Sequence, residues 1–461
     1  MKIYKDFAEG INIAYIGGGS RGWARGLMSD LALEKSLCGT VKLYDIDMQA
    51  AYDNEIIGNK ISTLENAQSN WVYKAVTSLK EALTGADFVI ISILPGTFDE
   101  MASDLEEPQK YGIYQSVGDT VGPGGILRAL RTVPMYMEIA EAIKEFCPEA
   151  FVINYTNPMT MCVRTLYKVF PQIKAFGCCH EVFGAQELLS NALSEFTGME
   201  KVDRKEIKVS VSGINHFTWI NSARYQNIDL MEIYDKFVEK HYESGYWEKE
   251  QDLWLSNTFV SHERVKFDLY KRYGVMAAAG DRHLAEFAPR YWYLKDLETI
   301  KEWHFSITTA QWRKQSLKEK LEETQKYVRN EKELTITPTG EEGVRQIKAL
   351  VGLGDLVTNV NLPNKNQIKE LPLDAVVETN AVFRNNQIIP ISAPKLPDSV
   401  LGLIARHVYN QETVVDAAVN ARPYDAFKAF CNDPQVTLSL SDAKTLFDKM
   451  IDNTKKYIKF N

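Results

Sequence analysis

The chain has 461 residues, 45% of them hydrophobic and 25% charged, a balance ordinary for a globular enzyme of one large or two smaller domains. Its formal net charge of −8 offers no overall basic field for a phosphate backbone, which argues against nucleic acid as a partner. No run approaches the roughly 18 apolar residues of a membrane span, Met1-Lys2-Ile3-Tyr4-Lys5-Asp6 lacks a secretory apolar stretch, and six cysteines do not suggest a disulfide framework, so the expectation is a cytoplasmic protein without a membrane partner.

Residues 11–16 read as a buried strand that runs straight into glycines, and residues 22–34 carry the helical apolar spacing Trp23, Leu27, Leu31. A second strand over 41–44 ends at Asp45, and a third apolar run, 86–93, leads into the turn Pro95-Gly96. Gly122-Pro123-Gly124-Gly125 then precedes Arg128 and Arg131, one helical turn apart. Residues 151–154 form another apolar run, closed by Asn157-Pro158, and 173–177 lead to Cys178-Cys179. Short apolar strands separated by helical segments predict a doubly wound parallel α/β sheet.

The pattern changes near residue 200, which predicts one domain over 1–200 and a second over 201–461. Residues 207–211 and 217–220 read as strands, and 314–334 as a solvated helix. Residues 374–391 read as a hairpin, with Arg384-Asn385-Asn386 as its turn.

Gly17-Gly18-Gly19-Ser20-Arg21-Gly22 fits G-x-G-x-x-G between a strand and a helix, the setting in which that pattern cradles a pyrophosphate. Asp45, or else Asp47, is placed to accept from an adenosine ribose, which favours NAD over NADP. Further along, Cys178-Cys179-His180-Glu181 is answered by Gly213-Ile214-Asn215-His216. A thiolate and an imidazole can share one divalent transition metal, and two protein ligands leave the site open for catalysis. In Gly280-Asp281-Arg282-His283 with Glu286, a carboxylate is a candidate general base, and Tyr273 is a second. Arg128 and Arg131 can meet phosphates or a substrate carboxylate, or else form salt bridges.

Together these motifs resemble glycoside hydrolase family 4, the NAD- and divalent-metal-dependent glycosidases. The resemblance runs from Gly17-Gly18-Gly19-Ser20 and Asp45 through Gly122-Pro123-Gly124-Gly125, Asn154-Tyr155-Thr156-Asn157-Pro158, Cys179-His180-Glu181-Val182 and Gly213-Ile214-Asn215-His216. It continues to Val360-Asn361-Leu362-Pro363-Asn364 and Val376-Val377-Glu378. It implies a Rossmann-type sheet joined to an α+β domain similar to that of lactate/malate dehydrogenases, assembled as a homodimer or homotetramer.

The resemblance also implies NAD and Mn²⁺ as cofactors, with NAD on Gly17, Gly18, Gly19, Ser20, Arg21, Gly22, Asp45 and Asn157, and the metal on Cys179 and His216. Asp281 or Tyr273 is the implied base and His180 the acid for the leaving oxygen. Asn157, His180, Glu181 and Arg282 are placed on the sugar. The form Cys-His-Glu-Val resembles the α-galacturonidase branch, so a sugar-acid glycoside is the implied substrate. The implied reaction is transient C3 oxidation with NAD, metal-assisted C2 deprotonation, elimination and water addition, a known exception to the two-carboxylate scheme. The alternatives are an α-glucuronidase or α-glucosidase of the same family, a 2-hydroxyacid dehydrogenase of lactate/malate type, or a nucleotide-binding sensor.

Overall fold

A computed structural model describes residues 1–247 and 261–460. Its strands, in chain order, are β1 (Lys2–Ile3), β2 (Ala8–Ile16), β3 (Leu37–Tyr44), β4 (Trp71–Ala75), β5 (Phe88–Ile91), β6 (Phe151–Asn154) and β7 (Lys174–Gly177). These are followed by β8 (Lys208–Ile214), β9 (Phe217–Tyr225), β10 (Ile228–Asp229), β11 (Met276–Ala277), β12 (Leu356–Pro363), β13 (Val376–Arg384) and β14 (Gln387–Pro390). All belong to one sheet whose path runs β10-β9-β8-β13-β12-β7-β6-β5-β2-β3-β4.

The six strands β4-β3-β2-β5-β6-β7 are parallel. Strand order reverses between β2 and β5, so the crevice at their carboxyl ends is where a doubly wound sheet receives its ligand. The expected parallel α/β half is therefore present. Several strands outrun their apolar cores: β3 begins at Leu37 rather than 41, and β9 continues to Tyr225 rather than 220. In β9 the extra residues include the exposed Ser222 and Arg224, and half-solvated alternation of this kind is weaker as a signal than a continuous apolar run.

The antiparallel half is fused to the parallel one rather than separate from it. β7 meets β12 through Asn361↔Gly177, and β12 pairs with β13, which pairs in turn with β8. The hairpin read over 374–391 is β13–β14, with Asn386 at φ 59° in its turn. The solvated helix lies at Ala310–Val328, where Thr309 caps it by accepting from Trp312 N–H (3.1 Å). Helix Trp23–Leu33 buries Leu27 and Leu31 as their spacing predicts. Among the described residues no helix is long and apolar enough to cross a membrane.

Candidate active site

The glycine turn leaves β2 with Gly17 and Gly18 both donating to the Tyr44 carbonyl (2.9 Å each). Gly17 sits at φ 89°, and a Cβ there would lie 2.0 Å from the Ser92 carbonyl oxygen. Gly19 N–H donates to Asp45 Oδ2 (2.9 Å), and a Cβ on Gly19 would press on Ala50 and Asp45. The backbone is thus held where side chains cannot intrude, which is the cradle a pyrophosphate requires. Ser20 Oγ accepts from Trp23 N–H (3.2 Å), while Gly22 precedes helix Trp23–Leu33. Of the two candidate acids, Asp45 lies against the turn, whereas Asp47 caps the next helix through Ala50 N–H and pairs with Arg21 (3.4 Å).

Asn157 follows β6 at the same end of the sheet. Its Nδ2 donates to Asp119 Oδ2 (3.3 Å), its carbonyl accepts from Arg128 Nε (2.9 Å), and its Oδ1 is buried with no protein partner. Asp119 lies just before helix Gly122–Phe146, which carries Arg128. Arg131, one turn on, is committed elsewhere: it makes a fully buried two-point pair with Asp104 (2.9 and 2.5 Å). Of the two arginines singled out by spacing, Arg131 is therefore a buried salt bridge and Arg128 borders the site.

Asp119, His216 and His283 offer ligand atoms that all lie within 4.8 Å of one another. His216 occupies the turn between β8 and β9 at φ 64°, and its ring stacks on His283 with centroids 3.7 Å apart. Thr120 Oγ1 lies 2.9 Å from His216 Nδ1. Burial opposes the Asp119 charge, but His283, His216 and Arg128 outweigh it and hold its pKa below the ordinary value. Burial, with the mutual repulsion of His216 and His283, pushes His216 down to about 3, and burial also lowers His283. A carboxylate and two neutral imidazoles are the protonation states a divalent cation demands, so the donor set fits a metal. His283 Nδ1 is buried without a protein partner, in keeping with that fit.

Cys179 is buried nearby but is not one of the three. Burial and the charges of Glu378 and Glu181 push its thiol pKa well up. Asn359 Nδ2 donates both to the Cys179 carbonyl (3.1 Å) and to Glu378 Oε1 (2.7 Å), which fixes this turn to β12 and β13. Cys178 and Cys179 each pack in a hydrophobic cluster, Cys179 with Met159, Val163 and Val376. Asp119 and His283 thus join His216, and Cys179, the other expected metal residue, lies outside this group of three. Asp119 lies three residues before the glycine run that drew attention, in a turn with no recognisable pattern.

Glu181, placed on the sugar by the resemblance, is held by neighbours within the chain. Its Oε2 accepts from Gly280 N–H (2.7 Å) and its Oε1 lies 3.7 Å from His283 Nε2. Burial pushes its pKa up, but His283, His216, His180 and that N–H prevail and hold it at about 2. It therefore anchors the start of the helix that carries His283. His180 begins the same helix and sets Nδ1 3.1 Å from Glu341 Oε1. Burial opposes its charge, but the Glu341 hydrogen bond and charge raise its pKa to about 9, so it holds a proton at neutral pH.

Asp281, fully buried at the start of helix Asp281–Phe287, accepts from Lys266 N–H (3.0 Å) through Oδ1, while Oδ2 has no protein partner. Burial first and Glu263 second raise it to about 7, a value suited to proton transfer at neutral pH. Tyr273, the other candidate base, ends helix Arg264–Tyr273 with its ring edge-on to Trp219 in an apolar cluster. Seven residues of helix, about 10 Å, separate it from the Lys266 N–H that Asp281 contacts. Arg282, expected on the sugar carboxylate, reaches the carbonyls of Ser306 (3.1 Å) and Ser116 (3.0 Å) and the Thr308 hydroxyl. Those contacts tie its guanidinium to the protein's own loops. Arg313, on helix Ala310–Val328, is a cation the sequence did not single out; burial lowers its pKa while Asp119 raises it.

A glycine cradle at the switch point of a parallel sheet, facing a histidine–carboxylate cluster, defines a Rossmann-type enzyme with a metal-compatible centre. The chain belongs to family 4 of the glycosyl hydrolases: that family's model matches residues 12–195 and its C-terminal domain model matches 211–436. It is 65% identical over 449 residues (97% of this chain, 96% of the relative) to an alpha-galacturonidase of Thermoanaerobacterium saccharolyticum. Among solved structures it is similar to a putative glucosidase of Bacillus subtilis, with 52% identity, TM-score 0.91, and coverage of 96% of this chain and 100% of the other. The fold also matches a 6-phospho-beta glucosidase of Thermotoga maritima solved with manganese, NAD⁺ and glucose-6-phosphate. That match has TM-score 0.76 at 19% identity and covers 98% of this chain and 100% of that one. The protein is thus a glycoside hydrolase.

Proposed function

We propose that the protein releases galacturonic acid from α-galacturonides, using NAD and Mn²⁺. The observation that carries this reading is the 65% identity, across 97% of the chain, to an alpha-galacturonidase. The cradle at Gly17–Gly19 with Asp45 suits NAD, and Asp119, His216 and His283 suit the metal, to which Cys179 is a further ligand. When bound, these groups supply a reversible hydride acceptor and a Lewis acid for the sugar hydroxyl oxygens.

The chain's own residues supply the rest. Asn157, joined to both Asp119 and Arg128, positions the sugar at the mouth of the cofactor cleft. Asp281, with one buried oxygen unpartnered, takes the C2 proton. His180, protonated through Glu341, gives a proton to the departing glycosidic oxygen. Arg282, held in place by the Ser116 and Ser306 carbonyls, is the cation for the sugar carboxylate, and Arg128 borders the same site. Residues 1–200 carry the dinucleotide and residues 201–461 complete the site, in a homodimeric or homotetrameric cytoplasmic enzyme; the six unbonded cysteines suit a reducing compartment.

The test is a substrate panel of α-galacturonide, α-glucuronide, α-glucoside and 6-phospho-glycosides, run with NAD⁺, Mn²⁺ and a thiol reductant. Release from the galacturonide alone is expected. Cleavage of 6-phospho-glycosides without galacturonides sinks the assignment, and steady NADH accumulation from a 2-hydroxy acid favours a dehydrogenase instead.

A further inference from the structure

Residues 338–342 form a strap tied both to the first helix of the cofactor fold and to Arg204. Thr339 donates to Asp30 from N–H (2.9 Å) and from its hydroxyl, which ties the strap to helix Trp23–Leu33. Arg204 donates to the Gly340 carbonyl and lies 3.2 Å from Glu342 Oε1, while its guanidinium covers the Phe183 ring at 3.9 Å. Phe183 belongs to helix Glu181–Thr197, at whose start His180 stands. The strap is thus fixed at both sides of one residue, Glu341.

Glu341 turns inward, with its side chain 11% exposed, and puts Oε1 3.1 Å from His180 Nδ1. Its Oε2 is buried without a protein partner. The His180 ring packs near Trp23 (centroids 6.1 Å), and Trp23 packs on Tyr155 (5.3 Å). The imidazole is therefore held at one nitrogen by a carboxylate and along its side by an indole. In an imidazole the two nitrogens lie on different edges, so a ring whose Nδ1 is committed to Glu341 presents Nε2 elsewhere.

We propose that Glu341 is a positioning residue for glycoside cleavage: anchored on both sides and 3.1 Å from Nδ1, it fixes the His180 ring so that Nε2 faces the departing glycosidic oxygen. This deepens the function proposed above and rests on it. The step is a proton transfer from Nε2 to oxygen as the C1–O bond breaks, with the bonding pair leaving on the aglycone. A carboxylate that orients an imidazole in this way acts through the ring and does not touch substrate.

The experiment separates aglycone departure from the earlier chemistry. Loss of the C2 proton of free galacturonic acid to D₂O requires the base but no departing sugar, and NMR reads it directly. In Glu341→Ala, aglycone release from an α-galacturonide with a poor leaving group is expected to fall about 10- to 100-fold. C2 exchange is expected to stay within about twofold of the parent, since Glu341 has no part in that step. Glu341→Gln, which retains an acceptor oxygen for Nδ1, should recover part of the loss. In the cofactor-free protein, a crystal structure of Glu341→Ala should show the His180 ring turned from its present orientation.

Equal losses of exchange and cleavage, an unaffected cleavage rate, or an unmoved ring would each overturn the proposal. Absence of C2 exchange in the parent enzyme would instead overturn the function on which it rests, and would be seen before any variant is made.

Discussion

The imidazoles of His216 and His283 stack with centroids 3.7 Å apart and planes inclined by 26°, although one belongs to a β-turn and the other to a helix. Two protonated rings would repel at that separation, so the stack is an arrangement of neutral imidazoles, consistent with the lowered pKa of each. Asp119 closes the group from a third element. The geometry makes His283 a candidate metal ligand on the same footing as His216.

That footing predicts the behaviour of variants. His283→Ala and Asp119→Asn should each weaken Mn²⁺ binding about 10- to 100-fold. Electron paramagnetic resonance of free Mn²⁺ during titration measures this without any turnover. Unchanged affinity in both variants would show that the metal is held elsewhere.

At Gly17 the backbone angle and the Ser92 carbonyl both forbid a side chain. Gly17→Ala should lower NAD affinity by more than about tenfold while leaving the fold intact, because the clash lies at the turn rather than in the core. Calorimetric titration with NAD⁺ and a thermal melt test the two halves of that statement separately.

The neighbouring arginines should respond in opposite ways. Arg131→Ala strands the buried Asp104 carboxylate and is expected to cost about 3–5 kcal/mol of stability. Arg128→Met should spare stability by comparison and act on turnover, since Arg128 lies against Asn157 and the Asp119 charge. Denaturant melts set beside steady-state kinetics for both variants would expose a reversal of these roles.

Glu286 gives the stability a pH dependence. Its Oε1 accepts from Val117 and Gly118 N–H (2.7 and 2.8 Å), yet burial dominates and raises its pKa from 4.5 to about 8. The folded protein therefore binds this proton more tightly than the unfolded chain. The neutral acid suits the fold fully below pH about 4.5, and stability declines as pH rises from there toward 8, by a few kcal/mol at most. Glu286→Gln should flatten that decline. Melting temperatures at pH 5 and pH 8 for the two proteins decide it, and equal slopes would remove Glu286 as the cause.

Local order was largely legible along the chain. The run 151–154 is a strand to the residue, and Arg384-Asn385-Asn386 turns a hairpin, because alternation and turn conformations are set by neighbours a few residues apart. Asp281 could be singled out because it stands in a cluster of ionisable groups after an apolar run. Asp119 and Glu341 could not, since each lies in an irregular segment and acquires meaning only from groups far away in sequence. Glu181 and Arg282 were singled out by their motifs, but their partners, Gly280 and the loops at Ser116 and Ser306, are not disclosed by those positions.

The sequence by itself determined the glycine cradle, the acid at the end of the second parallel strand, and the family, since backbone angles and ordered motifs are written in contiguous residues. Only the tertiary structure decided that β7 joins β12 to make one sheet, that His216 meets His283 and Asp119, and that Glu341 meets His180. The physical reason is that charge, burial and hydrogen bonding act over a few ångströms of space. Residues distant along the chain share such an environment only after the core has packed.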